Sequence, residues 1–248
     1  MKSLKRVLVW TYIVLIILLL LSLIKCDGPQ DVNPQVNPPI QETFKADVVL
    51  CIDCTGSMGG MISKIKDNAL NFYSDMKGKC LAYGKEITSM RIKVIGFRDV
   101  SDSQAYEESP FYVIPRQAGD FQSFVSHLEA NGGGDGPEMA YDALGLAIDS
   151  EWLGGSDVHQ VIILWTDAPS HPLSPAVPGP TSFQQMTNNW NTKMSTHGKR
   201  LIIFAPDDVS WTNITGSWDK TIRHDVNSGS GLSDVDYENI VRALSESI

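Results

Sequence analysis

Short apolar runs that alternate with helix-period segments predict an α/β fold: a doubly wound, mostly parallel sheet flanked by helices, with one short antiparallel edge strand. Two observations carry this. The runs Val161-Ile162-Ile163-Leu164-Trp165 and Leu201-Ile202-Ile203-Phe204 are apolar on both faces, as central strands covered on both sides require. Between such runs the apolar residues fall at helical spacing, as in Met58, Met61, Ile62, Ile65, Ala69, Phe72 and Met76. Strands that alternate with helices are joined by crossovers, and crossovers make neighbouring strands parallel.

In chain order, strands are expected at Ala46–Asp53, Arg91–Phe97, Phe111–Ile114, Val161–Thr166 and Leu201–Ala205. Helices are expected at Ser57–Met76, Asp120–Ala130, Glu138–Ser150, Ser182–His197 and Asp236–Ser247. Phe111–Ile114 follows its neighbour after a brief polar link, too short for a crossover, and is the antiparallel edge. The stretch 207–233, rich in Asn, Gly, Ser and Trp, receives no assignment.

The chain has 248 residues, 42% of them hydrophobic, enough for one sizeable core, and a formal net charge of −9. The first 25 residues hold four basic side chains and no acid, which leaves −13 on the rest. So acidic a body argues against nucleic acid as a partner. Val7–Ile24 is an uncharged segment of 18 residues behind three basic ones, and residues 1–26 are read as a signal or anchor segment. Leu23-Ile24-Lys25-Cys26 loosely resembles a lipoprotein cleavage box, with Lys25 a poor fit. An uncleaved anchor, a lipidated Cys26 and a secretion signal all stay open, and in each the body faces outward. Residues 27–43 hold Pro29, Pro34, Pro38 and Pro39 and read as an extended tether; residues 44–248 form the folded domain.

Asp53-Cys54-Thr55-Gly56-Ser57 lies where the first strand turns into the first helix and gathers a carboxylate and two hydroxyls. Such hard oxygen donors suit Mg²⁺, Mn²⁺ or Ca²⁺. Open α/β sheets bind ligands beyond the carboxyl ends of their strands, and two further loops bring acids there. Asn131-Gly132-Gly133-Gly134-Asp135-Gly136-Pro137-Glu138 presents Asp135, and Thr166-Asp167-Ala168-Pro169-Ser170-His171 presents Asp167.

These three motifs, in this order, resemble the von Willebrand factor A domain and its metal-ion-dependent adhesion site, over about residues 45–248. Gly96-Phe97-Arg98-Asp99 resembles the hemicentin-like and alpha-kinase-associated branch of that family. The resemblance implies a Rossmann-like fold in which Thr55 and Ser57 bind the cation directly while Asp53 and Asp167 orient bound waters. Asp135 stands where many members place a threonine. It further implies an open coordination position, completed by an Asp or Glu carboxylate from a protein partner, as in cell adhesion, and no catalytic step.

Blander readings stand beside each residue. Ser57 alone could be a helix N-cap, and Asp53 a turn residue. Glu138 reads as a helix-start acid favoured by the helix dipole, and Arg98 and Asp99 as structural partners that hold loops near the site. Gly132–Gly134 precedes an acid, not Gly-Lys-Ser/Thr, which excludes a phosphate cradle and a nucleotide. Cys51 and Cys54 have dithiol spacing, but Cys51 sits inside a strand, and either could pair with Cys80 in an oxidising compartment. His171 is read as a loop residue, and Asn213-Ile214-Thr215 is a glycosylation sequon. Two alternatives remain: a structural domain whose site is unused, and a metal-dependent hydrolase with His171 or Glu138 as its base.

Overall fold

β1 (Glu42–Asp53) is the strand around which the sheet is built, because its side chains are apolar in both directions. Val48, Leu50 and Ile52 enter one core and Val49 and Cys51 the other, the alternation that a pleated strand imposes. The computed structural model describes residues 38–134 and 136–229, with Leu232, Val241, Arg242 and Ser245. The N-terminal segment, most of the tether, Asp135 and most of the helix expected at 236–247 lie outside these residues. Among the described residues no helix is long and apolar enough to cross a membrane.

After β1 come a single 3₁₀ turn (Gly56–Met58) and the helices α1 (Gly59–Asn68) and α2 (Phe72–Ala82). The one long helix expected at Ser57–Met76 is therefore two. Asn68 and Asn71 explain the break, because asparagine competes for nearby backbone groups. The Asn68 side chain donates to the Lys64 carbonyl at 2.8 Å, and the Asn71 amide turns back to the Asn68 carbonyl at 3.0 Å.

β2 (Lys85–Phe97) then lies parallel to β1. Its outer edge carries two short antiparallel strands, β3 (Tyr106–Glu108) beside Ile95–Phe97 and β4 (Tyr112–Ile114) beside Met90–Ile92. β4 is the expected edge strand. β3 was hidden by its three polar or half-buried residues. The chain continues through α3 (Ala118–His127), α4 (Ala140–Ile148), β5 (Val158–Trp165), α5 (Phe183–Lys193) and β6 (Lys199–Ala205). The unassigned stretch supplies α6 (Val209–Ser217) and an additional parallel strand, β7 (Thr221–Asp225).

The sheet runs β3-β2-β1-β5-β6-β7, with β4 on β2. β1 has β2 on one side and β5 on the other, both parallel, so successive crossovers leave it in opposite directions. That reversal opens a crevice above the carboxyl ends of β1 and β5. One core packs α1, α2 and α3 against Leu50, Ile92 and Trp165; the other packs α4, α5 and α6 against Val49, Phe97 and Ile203. Every residue of α4 is buried, including the polar Asp142.

Asp142 Oδ1 accepts the Ser174 amide at 2.9 Å and so ties α4 to the loop after β5. Burial pushes its carboxyl up to about 6, against a partial offset from the Ser174 hydrogen bond. A carboxyl raised in the folded state contributes stability that is full below its unfolded value, near 4, and is lost as pH rises through about 6. Asp142→Asn keeps the acceptor and removes the titration. Its urea midpoint should fall less between pH 4.5 and pH 7 than that of wild type; identical slopes would count against this assignment.

Candidate metal centre

Asp53, the last residue of β1, is fully buried and faces the crevice between β1 and β5. Its position follows from register: Ile52 lies beside Trp165, so Asp53 meets Thr166. Oδ2 of Asp53 accepts the Thr166 hydroxyl at 2.7 Å. Oδ1 accepts the Thr55 hydroxyl at 2.6 Å and the Thr55 amide at 2.9 Å. One carboxylate thus joins the motif after β1 to the end of β5.

A second pair of the same kind sits beside it. Ser57, in the 3₁₀ turn, donates its hydroxyl to Asp167 Oδ1 at 3.0 Å, across 110 residues of sequence. Ser57 is not an N-cap, since neither short helix here shows a side-chain cap. A hydroxyl has one proton to donate and two lone pairs. Once that proton is committed to a carboxylate, only the lone pairs of Thr55 Oγ1 and Ser57 Oγ are left to meet a ligand.

The two carboxylates lie close enough to oppose each other. Burial raises Asp53 to about 6, the charge of Asp167 adds to that rise, and the hydrogen bonds from Thr55 and Thr166 oppose it. Among the described residues no group of three or more His, Cys, Asp and Glu side chains could hold an ion by itself. The donor set is therefore two carboxylates and two hydroxyls, all hard oxygens. That composition fits a hard divalent cation that keeps some of its water, and it does not fit a nitrogen- and sulfur-seeking one.

The glycine loop supplies the next layer. Gly132 and Gly133 have φ of +73° and +81°, the left-handed region that favours glycine. A Cβ on Gly132 would meet Asp102 at 2.5 Å, and one on Gly133 would meet both Thr55 Cβ and Glu138 Oε1 at 3.1 Å. Gly132 thus lets the chain turn close against Asp102, and Gly133 lets it approach Thr55. The same point near Gly133 places the Glu138 carboxylate within about 6 Å of the Thr55 side chain.

Glu138 is 4% exposed and precedes α4, whose first residue is Ala140. Glu138 lies just before the helix start, and its carboxylate is also buried within about 6 Å of the Thr55 side chain. Its backbone holds it there, with its amide on the Pro169 carbonyl at 2.9 Å and its carbonyl accepting the His171 amide at 2.8 Å.

The second strand end buttresses these loops. Asp99 accepts the Ser101 amide at 2.6 Å, and its other oxygen lies 3.2 Å from His171 Nε2. Hydrogen bonds from Ser101, with His171 beside it, hold Asp99 below the ordinary carboxylate range. Asp102 receives the Gly133 amide at 3.1 Å. Buried Arg98 donates to the Glu129 carbonyl at 2.9 Å and reaches Glu107 at 3.3 Å. His171 is thereby a clasp between two loops. Cys51, Cys54 and Cys80 are buried free thiols, so the possible pairing with Cys80 is not formed. Burial pushes Cys54 up to about 12 and Cys80 to about 11, so both are protonated near neutral pH.

No family model matches the chain. The alpha-protein kinase vwkA of Dictyostelium discoideum is 30% identical over 142 residues, which is 54% of this chain and 21% of that protein. The chain therefore spans about a fifth of that relative's length. Among solved structures, proximal thread matrix protein 1 of the mussel byssus, with a zinc-occupied MIDAS motif, is similar at a TM-score of 0.50 and 14% identity, over 82% of this chain and 48% of that one. A von Willebrand factor type A structure from Catenulispora acidiphila has a TM-score of 0.49 and 13% identity, over 81% of this chain and 42% of that one. The pilus adhesin SpaC of Lactobacillus rhamnosus GG gives 0.49 and 14%, over 82% and 30%. At such identities the likeness is one of fold, and the shared fold is the mostly parallel sheet with helices on both faces.

Thr166 is the buried partner that holds Asp53 from β5. Thr166→Val keeps the shape and removes the donor, leaving one carboxylate oxygen without its hydrogen bond in the interior. Such a loss costs about 1–3 kcal/mol. Urea unfolding of the full chain should show that loss without added cation, whereas an unchanged midpoint would show that the bond does not hold the junction together.

Proposed function

We propose that this chain is a von Willebrand factor A domain that binds a protein partner through a divalent cation, Mg²⁺ or alternatively Mn²⁺ or Ca²⁺. The observation that carries the reading is the pair of hydroxyl–carboxylate contacts, Thr55 with Asp53 and Ser57 with Asp167, at one strand junction. The similarity of fold to a protein with a zinc-occupied MIDAS motif supports it. The acidic body, at −13 after the first 25 residues, is compatible with it.

In this reading Thr55 and Ser57 would hold the ion by their lone pairs, and Asp53 and Asp167 would orient those hydroxyls and bound water. Glu138, beside Thr55, adds negative charge on the same side, and Asp135 belongs to the same loop. When bound, the cation supplies a Lewis-acidic position that a carboxylate can complete. The chain's own residues fix the hydroxyls, with their protons directed at carboxylates, and hold the surrounding loops together. In this reading the site binds without moving a proton or breaking a bond, and is not an enzyme's. The apolar, positively preceded segment at residues 7–24 supports an anchored domain that faces outward, with secretion as the alternative.

Calorimetric titration of the full chain with Mg²⁺ and Mn²⁺, beside Asp53→Ala and Ser57→Ala, tests the reading. Each variant should lose at least about tenfold in affinity, the cost of one charge-assisted or ligating contact. Equal titration curves for all three proteins would sink the cation site.

A further inference from the structure

A groove of about 290 Å³ opens next to the proposed cation site, where the loop after β5 passes the starts of α4 and α6. Its apolar wall is Tyr141, Leu173, Phe183 and Val209, and the residues that line it carry no charge. Val209 is 66% exposed, the most exposed large hydrophobic among the described residues. The groove shares Ser170 with the loop that begins at Asp167, three residues earlier. Three extended residues span about 10 Å.

The walls are fastened to one another. Ser170 Oγ accepts the Tyr141 amide at 2.8 Å, and the Ser170 amide donates to Ser210 Oγ at 3.2 Å. The Tyr141 hydroxyl donates to the Ser210 carbonyl at 2.7 Å. Asp208 then accepts both the Ser210 amide, at 2.8 Å, and its hydroxyl, at 2.7 Å. A groove tied on three sides is formed before anything enters it, so an occupant loses little in ordering it.

Charge decides which part of a partner fits. The body is acidic and the groove contains no basic residue, so nothing in the groove attracts a carboxylate. A partner's acidic group would be held at the cation, and its uncharged neighbours would take the groove. We infer that the groove is the specificity pocket of the cation site, and that its occupant is an extended peptide segment of a protein partner bearing an aliphatic or aromatic side chain within about four residues of its Asp or Glu. This rests on the cation reading given above.

The test uses fluorescein-labelled nonapeptides of Gly and Ser with one central Glu and one Leu, moved through the four positions on either side. Binding to the full chain in saturating Mg²⁺ is followed by fluorescence polarisation, against the leucine-free peptide. At least one isomer should bind about tenfold or more tightly than that control, as burial of a leucine side chain allows. In Val209→Asp, which changes an exposed side chain, the advantage should shrink below about threefold while calorimetry shows Mg²⁺ affinity unchanged. An indifferent leucine, an advantage that survives in Val209→Asp, no peptide binding by the Mg²⁺-loaded chain, or loss of Mg²⁺ binding in that variant would each overturn the pocket. A wild-type chain that binds no Mg²⁺ would overturn the cation reading beneath it, a distinguishable failure.

Discussion

Everything at the top of this sheet depends on a buried carboxylate that accepts hydrogen bonds from the hydroxyls around it. Asp53 binds Thr55 through one oxygen and Thr166 through the other, so it fixes both the turn after β1 and the end of β5. Asp167 repeats the arrangement with Ser57. The consequence is chemical as well as mechanical. A hydroxyl whose proton is committed presents only lone pairs, and two such hydroxyls beside two acids form a place suited to a positive charge. Burial makes the pair of acids costly, which is visible in the raised carboxyl of Asp53. A bound cation would offset that cost.

The loops around this point are held by constraints that are individually modest. Gly132 and Gly133 allow the mid-chain loop to lie against Thr55, and Asp102 receives that loop's amide. Glu138 and Ser170 join it to the loop after β5 by a parallel bridge, and His171 with Asp99 closes the ring toward β2. Three strand ends, those of β1, β2 and β5, and the loop after α3 are thereby linked without any one residue contacting all of them. The groove beside Tyr141 is a product of the same fastening, since Ser170 belongs to both.

Much of the fold could be read from the sequence because its central strands are apolar on both faces. Val161–Trp165 and Leu201–Phe204 have no other stable place than a covered sheet. The edges were less legible. β7, Thr-Ile-Arg-His-Asp, is half-exposed and carries one large aliphatic residue, so its place is set by pairing with β6 and not by its own composition. The helix break at Asn68–Asn71 is local chemistry that an unbroken apolar period concealed. At the site, Thr55, Ser57 and Asp167 were legible as hydroxyls and acids at strand ends. The inward turn of Glu138 was not, because helix-start acids are common and only the backbone bonds to Pro169 and His171 decide its direction.

The most direct measurement is anomalous diffraction from crystals of the full chain grown with Mn²⁺. A peak beside the Thr55 and Ser57 hydroxyls, with Asp53 and Asp167 on their far side, is the expected result. A well-ordered site without a peak there, or manganese bound only elsewhere on the acidic surface, would contradict the assignment.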